Sequence, residues 1–556
     1  MTTTPTSAAH ATPSTETPEI SETLEQALHR ISTTLVAKNQ FVPALTELMQ
    51  LATQGYMDNP QVWLHIGHIY TRMASWSDAI AALDTALTLN PKMYQAAQLK
   101  SLALFSLGQR EAACTLIDEV VKKLPLDGIW LLRAYLHSHS SRDPALTLKV
   151  AQDWGRRFAD PLTRKAKPIR VADRSPRKKL KIGYVTADFR EHSVAFFMLP
   201  VLHHHNHEQF DIHVYSNGPW DWLTPQLRAL VPNWLDVMDM TDEALVQRIR
   251  DDGIDVLVDL SGFTHGHRLG VFARRAAPVQ ATWLGYLNTL GMKAMDYRLV
   301  DPGFAPSSHA PFYSESLFQL CSATNYAPPT YSPLCETLPM LRNGYPTLLS
   351  PNSSAKITDE MLKVWARILH ERPDARLIIM VKEMNADAAQ ADMQPRVEAA
   401  GMPLDRVSVM HQQPLNQFME LGHIADIMLD TSPLSGGTTT LHSLWMGMSV
   451  VTLDAERGVE ACTSYVLKTL GWGGEIAQDI EGYVQATLDL MKNPERLLYQ
   501  RQNARDLIRK SFLMDYQKNV EELEKAFQLM WINWLRGNKK ILSVNTDLEA
   551  LLLEME

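Results

Sequence analysis

Asp430-Thr431-Ser432-Pro433-Leu434-Ser435-Gly436-Gly437-Thr438-Thr439-Thr440 follows a short apolar strand, Ile427–Leu429, and runs into a helix read over Thr438–Met448 with Leu441, Leu444 and Trp445 on its apolar face. Glycine lets the main chain approach a ligand closely, and a helix start offers unpaired N–H groups and the positive end of the helix dipole. Two readings fit the segment: a pyrophosphate site, or a strand-to-helix turn with a threonine N-cap. Its surroundings decide the fold. Upstream lie strand Thr347–Ser350, helix Asp359–Glu371, strand Ala375–Val381, helix Gln394–Ala400, strand Val407–Met410 and helix Gln417–Ile424; strand Val450–Leu453 follows. The same alternation starts earlier, with strands Leu180–Thr186, Phe210–Tyr215 and Asp255–Asp259 and helix Glu243–Asp252. Such βαβ repetition implies parallel sheets, here two doubly wound lobes over residues 180–340 and 341–514, with ligands expected at the carboxyl ends of the strands, facing the cleft between the lobes.

Ahead of the lobes the pattern is helical. Residues 1–20 are mostly Thr, Pro, Ser and Ala, too poor in apolar groups to offset the entropy of ordering, and are expected to be disordered. Within 21–160, Trp63, Ile66, Gly67, Tyr70, Ala79, Leu83, Ala86 and Pro91 fall at the spacings of a 34-residue tetratricopeptide (TPR) unit. The next unit keeps Leu104, Gly108, Ala113 and Pro125 but has Lys100 and Ser101 at the apolar and glycine positions, and the unit before it, Ala27 to Gly55, is weaker. One helix pair cannot bury its own face, so about three stacked units are expected, with an irregular helical cap as the alternative. Residues 161–179 form a basic linker: between Arg164 and Lys181 stand nine basic residues and one acid, Asp173, which reads as a solvated connection or as a protein- or phosphate-binding patch. Residues 515–556 supply C-terminal helices. Val520, Leu523, Phe527, Met530, Trp531 and Trp534 recur at helical spacing, which reads as packing back across the lobes; the short amphipathic stretch Ile541–Leu553 is left unassigned.

Lysine and arginine number 53 against 62 aspartates and glutamates, a net charge of −9 that gives no global drive toward nucleic acid or an anionic membrane. The four cysteines, Cys114, Cys321, Cys335 and Cys462, never form a C-x-x-C pair, so neither a zinc cluster nor a disulfide framework is suggested. No stretch of about 18 apolar residues suggests a membrane span, and the N-terminus has no signal-peptide pattern, so a cytoplasmic chain without membrane insertion is expected. His203, His204, His205 and His207 resemble metal ligands at first sight, but no carboxylate or cysteine spacing supports them, and no metal site is assigned.

Leu444-Trp445-Met446-Gly447 and Val450-Val451-Thr452-Leu453 follow the glycine-threonine turn. The first lobe adds Lys181-Ile182-Gly183-Tyr184-Val185, Asp188-Phe189-Arg190, His192-Ser193-Val194-Ala195 and Val258-Asp259-Leu260-Ser261-Gly262-Phe263-Thr264. Pro278-Val279-Gln280, Trp283-Leu284-Gly285-Tyr286 and Met295-Asp296-Tyr297 continue the series, and Asn352, Ser353 and Lys356 precede a helix. Taken in order, from about Lys179 to Asn538, these segments resemble the catalytic region of the O-GlcNAc transferase/SPINDLY family, and the TPR units in front match its domain order.

The resemblance implies an α plus α/β protein: a TPR-like α-solenoid followed by a GT-B pair of Rossmann-like lobes. It also implies a metal-independent, inverting transferase that moves a sugar, usually GlcNAc from UDP-GlcNAc, to Ser/Thr hydroxyls of a protein acceptor presented by the TPR units. The nucleotide sugar is a co-substrate, and no further cofactor is called for. Lys356, with Gly436, Gly437, Thr438, Thr439 and the helix start, would stabilise the leaving diphosphate; an exposed lysine before a helix is the bland alternative. His192 would orient acceptor or sugar, with proton transfer as a further role, and Asp259 is the runner-up carboxylate unless it merely caps the next turn. Asn352, Ser353, Phe418 and His442 complete the implied nucleotide-sugar site. Three positions depart from the family: Gly437 replaces a histidine, His442 an acidic residue at the ribose, and Leu415 and Phe418 a lysine and a histidine around the uracil. They keep two alternatives open, a catalytically weak TPR adaptor with a vestigial transferase fold, and a transferase using another donor such as GDP-fucose. The cleft lies wholly downstream of the TPR units, so donor binding is expected to survive their removal.

Overall fold

The computed structural model describes residues 22–537 and 543–555; the tail read as disordered lies outside them. Among the described residues nine α-helices open the fold: α1 (Leu24–Arg30), α2 (Phe41–Leu51), α3 (Pro60–Arg72), α4 (Trp76–Leu89), α5 (Tyr94–Ser106), α6 (Arg110–Lys123), α7 (Asp127–Ser140), α8 (Pro144–Trp154) and α9 (Asp160–Lys165). The TPR spacing has a direct steric cause where α3 crosses α4: a Cβ on Gly67 would stand 2.6 Å from Leu83 Cγ. Asn59 caps α3 through its side chain, with Pro60 at the first helical position, and Pro91 follows the end of α4.

The first lobe is a parallel sheet of seven strands: β1 (Leu180–Thr186), β2 (Phe210–Ser216), β3 (Asn233–Asp236), β4 (Val256–Asp259), β5 (Val279–Thr282), β6 (Tyr297–Val300) and β7 (Ser316–Gln319), in the order β3-β2-β1-β4-β5-β6-β7. The second has β8 (Thr347–Pro351), β9 (Arg376–Met380), β10 (Val407–Met410), β11 (Ile427–Leu429), β12 (Ser449–Leu453) and β13 (Ile476–Ala477), in the order β10-β9-β8-β11-β12-β13, again parallel. Strand order reverses between β1 and β4 in one lobe and between β8 and β11 in the other, which is where doubly wound sheets bind ligands.

Side chains alternate across a strand, so the first sheet buries two different faces. Leu180, Ile182 and Tyr184 of β1 and Val256 and Val258 of β4 face a core shared with α10 (Ser193–His204) and with the long helix Tyr516–Leu535, through Val520, Leu523, Phe527, Met530 and Trp531. The C-terminal helix therefore packs on the first lobe. Val185 and Leu257 face the other way, into a core that also contains Phe105, Ile117, Leu131, Leu136 and Trp154 of the repeats. Repeats and first lobe share one hydrophobic core, and removing residues 22–160 would take away about two fifths of its buried residues, so the expected survival of donor binding depends on the lobe tolerating that loss.

At that seam two main chains meet directly. A Cβ on Gly155 would lie 2.1 Å from Gly291 O, and one on Gly291, at φ +66°, would lie 2.2 Å from Ala151 C. Asn288 Nδ2 donates to Ser138 O at 3.1 Å and Thr163 Oγ1 to Ala273 O at 2.8 Å beside it.

Three sequence expectations change. The basic linker is pinned: Lys178 pairs with Asp255 at 2.8 Å and lies over the Trp531 ring, Arg174 lies over Trp534, and Trp531 Nε1 donates to Ser175 O. The helix placed at Gln394–Ala400 spans Ala386–Ala399, capped by Asn385; its alanine-rich first half is a good helix former that shows no apolar stripe. The helix placed at Gln417–Ile424 is two single turns, Leu415–Phe418 and Leu421–His423. Among the described residues no helix is long and apolar enough to cross a membrane.

Gly291 and Gly344 both have positive φ, at +66° and +79°, but a Cβ on Gly344 would meet nothing within 4 Å. Gly344→Ala should cost the left-handed backbone penalty alone, about 1–2 kcal/mol. Gly291→Ala should cost clearly more, because the repeats must move away from the lobe. Denaturant unfolding of the two variants measures the difference, and equal losses would refute the close approach.

Candidate functional site

The two loops at the second lobe's switch point meet. After β8 the chain runs through Asn352 and Ser353 into a short turn, Ser354–Lys356, and Lys356 Nζ donates to Ser435 O at 2.7 Å, across to the loop after β11. Burial pulls the ammonium below the usual lysine range, while the Asp430 carboxylate acts in the opposite sense.

Asp430 shapes the facing turn. Its Oδ1 accepts from the Gly436 N–H and its Oδ2 from the Thr452 hydroxyl, both at 2.7 Å. A Cβ on Gly436 would stand 2.4 Å from Thr440 Oγ1, so glycine is what lets the turn close. The helix Thr438–Trp445 then begins with Gly437 as N-cap and no side-chain cap, which answers the capping alternative: neither Thr438 nor Thr439 caps it. Thr440 turns inward to Thr463 at 2.8 Å, whereas Thr438 and Thr439 are half-buried at a helix start whose first N–H groups have no intrahelical acceptor.

Asn352 is 3% exposed, and neither its amide oxygen nor its nitrogen has a hydrogen-bond partner. Beside it Glu383, fully buried, accepts from Ser354 Oγ at 2.5 Å through Oε1, while Oε2 is left unpaired. Unpaired buried polar atoms at a strand's carboxyl end are what a polar ligand would satisfy.

In the first lobe, His192 is the N-cap of α10, its Nδ1 accepting the Val194 N–H at 3.3 Å. Burial, with the charges of Arg190 and of Lys382 from the second lobe, lowers its pKa to about 4. The ring is therefore neutral at pH 7, and because Nδ1 accepts, its proton sits on Nε2. His192 thus presents an N–H donor at Nε2. Asp188 Oδ1 lies 3.7 Å away, and burial raises this carboxylate to about 6.

Three expected site residues are placed differently. Asp259 is 1% exposed, accepting from the Ser261 and Gly262 N–H groups and, at 2.8 Å, from Thr282 Oγ1; it is the cap of its turn, and Asp188, whose Oδ2 is unpaired, is the carboxylate beside His192. His442 is 5% exposed, with Nδ1 2.8 Å from the Tyr326 hydroxyl, its ring among Phe196, Tyr326 and Phe418, and burial lowers its pKa to about 3. Phe418 sits edge-on to that ring inside the lobe's core. Both residues face inward. Of the histidine run, His205 is buried between Tyr184 and Glu524 at 2.9 Å each, and among the described residues no cluster of His, Cys, Asp or Glu is placed to hold a metal ion.

Two parallel doubly wound lobes facing one cleft, preceded by stacked helix pairs, define a GT-B-type architecture. The chain belongs to glycosyl transferase family 41, whose model matches residues 163–326 and 349–523. It is 34% identical over 398 residues to the probable UDP-N-acetylglucosamine–peptide N-acetylglucosaminyltransferase SPINDLY of Solanum lycopersicum, covering 70% of this chain and 42% of that protein. It is 26% identical over 423 residues to the corresponding protein SEC of Arabidopsis thaliana, covering 70% and 42%. The chain thus spans less than half the length of these curated relatives. A solved mutant of the Thermobaculum terrenum O-GlcNAc transferase superimposes with a TM-score of 0.82 at 30% identity, covering 92% of this chain and 98% of that one.

Burial raises Glu383 from the usual 4.5 to about 7, with the Ser354 hydroxyl acting the other way. The folded state therefore holds this proton more tightly than the unfolded chain. The stability gained is full below pH 4.5 and is lost as pH rises through 7, by up to about 3 kcal/mol. Glu383→Gln should flatten that fall in a series of thermal melts, and parallel pH profiles would show that Glu383 titrates normally.

Proposed function

We propose that this chain is an inverting, metal-independent glycosyltransferase that moves a sugar, GlcNAc from UDP-GlcNAc in the first instance, to serine or threonine hydroxyls of a protein acceptor presented by the helical repeats. The observation that carries this reading is the half-buried Lys356 ammonium, 2.7 Å from Ser435 O in the loop that leads into the helix Thr438–Trp445. When the bond between the anomeric carbon and the diphosphate breaks, negative charge builds on the leaving oxygen. A fixed ammonium and the helix-start N–H groups meet that charge without a bound cation. Asn352 and Ser353 line the same strand end, and the His192 Nε2–H, on the opposite lobe, orients the sugar or the acceptor. The names of the plant relatives point to the same donor and to a peptide acceptor, and that of the solved structure to the same sugar. A cytoplasmic setting is in keeping with four free cysteines.

A second reading concerns the donor. His442 and Phe418 are buried against Tyr326 and each other, so base and ribose are left to other side chains and a different nucleotide, as in GDP-fucose, fits the fold equally well. Titrating UDP and GDP calorimetrically separates the two.

Lys356→Ala should lower turnover by about 10²–10³ with little loss of stability. Activity within about twofold of wild type would remove the lysine from the mechanism. At the facing turn, Thr439→Ser keeps the hydroxyl and Thr439→Val keeps the shape. Serine should retain nucleotide affinity while valine loses about tenfold, with unchanged melting because this threonine does not cap the helix. Valine binding as tightly as threonine would leave the phosphate contact to the main chain alone.

A further inference from the structure

The segment that carries Lys356 is held from outside its own lobe. Arg110, the first residue of α6 in the helical repeats, donates from Nη2 to Ala355 O at 2.7 Å, and Arg396 of the second lobe donates from Nη2 to Ile357 O, also at 2.7 Å. The carbonyls on either side of Lys356 are thus each taken by a guanidinium, one of them from the repeats. Just before α6, Gly108 stands at φ +85°, and a Cβ there would be 2.9 Å from Ile357 O and 3.0 Å from Arg396 Nη2. The turn between α5 and α6 therefore lies directly on the lysine segment, and Ala355 packs against the core that repeats and first lobe share.

From these contacts we infer that Arg110 is a positioning residue for Lys356, so that the helical repeats complete the diphosphate-stabilising side of the cleft as well as reaching toward an acceptor. The inference rests on the role proposed for Lys356. Arg110 is 8% exposed, and burial with the nearby cations Arg142 and Arg396 lowers its pKa to about 10, Glu360 offsetting part of this. A guanidinium buried among other cations for the sake of a main-chain carbonyl is a costly way to dock two units. Docking has other means here: Asp392 accepts the Trp76 and Ser77 N–H groups at the start of α4, at 3.1 and 2.8 Å, and the Gly155–Gly291 seam joins the repeats to the first lobe. Loss of Arg110 leaves those contacts in place and frees the segment that aims Lys356 at Ser435 and the glycine-threonine turn.

The test uses the full chain with Arg110→Met, Arg110→Lys, Lys356→Ala and the double variant Arg110→Met/Lys356→Ala. Turnover is followed as UDP release from UDP-GlcNAc, UDP affinity by calorimetry, and folding by thermal melting. Arg110→Met should lower kcat by about 10- to 100-fold while melting within a few degrees of wild type, as displacement of a catalytic group by a fraction of an ångström does. Arg110→Lys, which keeps a donor and a charge, should recover part of the loss, and it carries the test if the methionine variant melts far lower. In the double-mutant cycle read on UDP affinity, Arg110→Met should add nothing to Lys356→Ala. Wild-type turnover in both Arg110 variants beside an inactive Lys356→Ala would overturn the positioning role, as would independent losses in the cycle. Wild-type turnover in Lys356→Ala would instead overturn the role given to the lysine, and this inference with it.

Discussion

Asp430 puts a carboxylate where water does not reach, and much of the second lobe's geometry follows from satisfying it. A buried charge without donors would cost several kcal/mol, so each oxygen finds one: the Gly436 N–H on one side, the Thr452 hydroxyl of β12 on the other. Its own carbonyl accepts the Tyr483 hydroxyl at 2.8 Å. Meeting Gly436, six residues on, folds the intervening chain back on itself, and that fold turns Ser435 O toward Lys356 just before the next helix starts at Thr438. One carboxylate thus sets both halves of the proposed diphosphate site.

The parts of this arrangement that local sequence determines were legible in it. Strands β1, β10 and β11 and the helix Asp359–Glu371 lie where alternation and periodicity put them, because apolar runs bounded by turn residues have few other ways to be buried. The glycine-threonine turn stood out for the same local reason. What sequence could not convey was the far partner that decides which way a polar side chain faces. His442 lies on a helix that borders the proposed site, and its inward-facing ring meets the Tyr326 hydroxyl, 116 residues away, together with Phe196. Asp259 could be a reacting carboxylate or a cap until Thr282 and two main-chain N–H groups account for its oxygens. Arg110 carried no signal, since its acceptor is a main-chain carbonyl 245 residues downstream. Strands β3, β5, β6, β7 and β13 also escaped notice: at four residues or fewer each, one of them half-exposed with the sequence Asn-Trp-Leu-Asp, they are too short to show periodicity.

The two lobes are also tied to each other beside the cleft. Tyr326 sits in the strap that leads from the first lobe to the second, and its ring and hydroxyl meet His442 while Phe196 of α10 closes on the same imidazole. Tyr465 donates to Asp301 from the second lobe to the first, at 3.2 Å. With the repeats joined to one lobe through the glycine seam and to the other through Asp392, the three parts of the chain meet around Lys356 as one body.

The helix Tyr516–Leu535 covers one face of the first sheet, although the whole second lobe separates them in sequence. On the ribosome, strands β1 to β7 therefore leave the exit tunnel with that face covered only in part, by the helix Ser193–His204. The chain must add roughly 200 residues before Val520 and Trp531 arrive to cover it, about 10–40 s at ordinary rates of elongation. Throughout that interval the part of this core that Val520, Phe527 and Trp531 complete stays open. A stop codon just before Tyr516 would therefore release a chain that carries Lys356 and the glycine-threonine turn but lacks the helix that completes the first lobe's core.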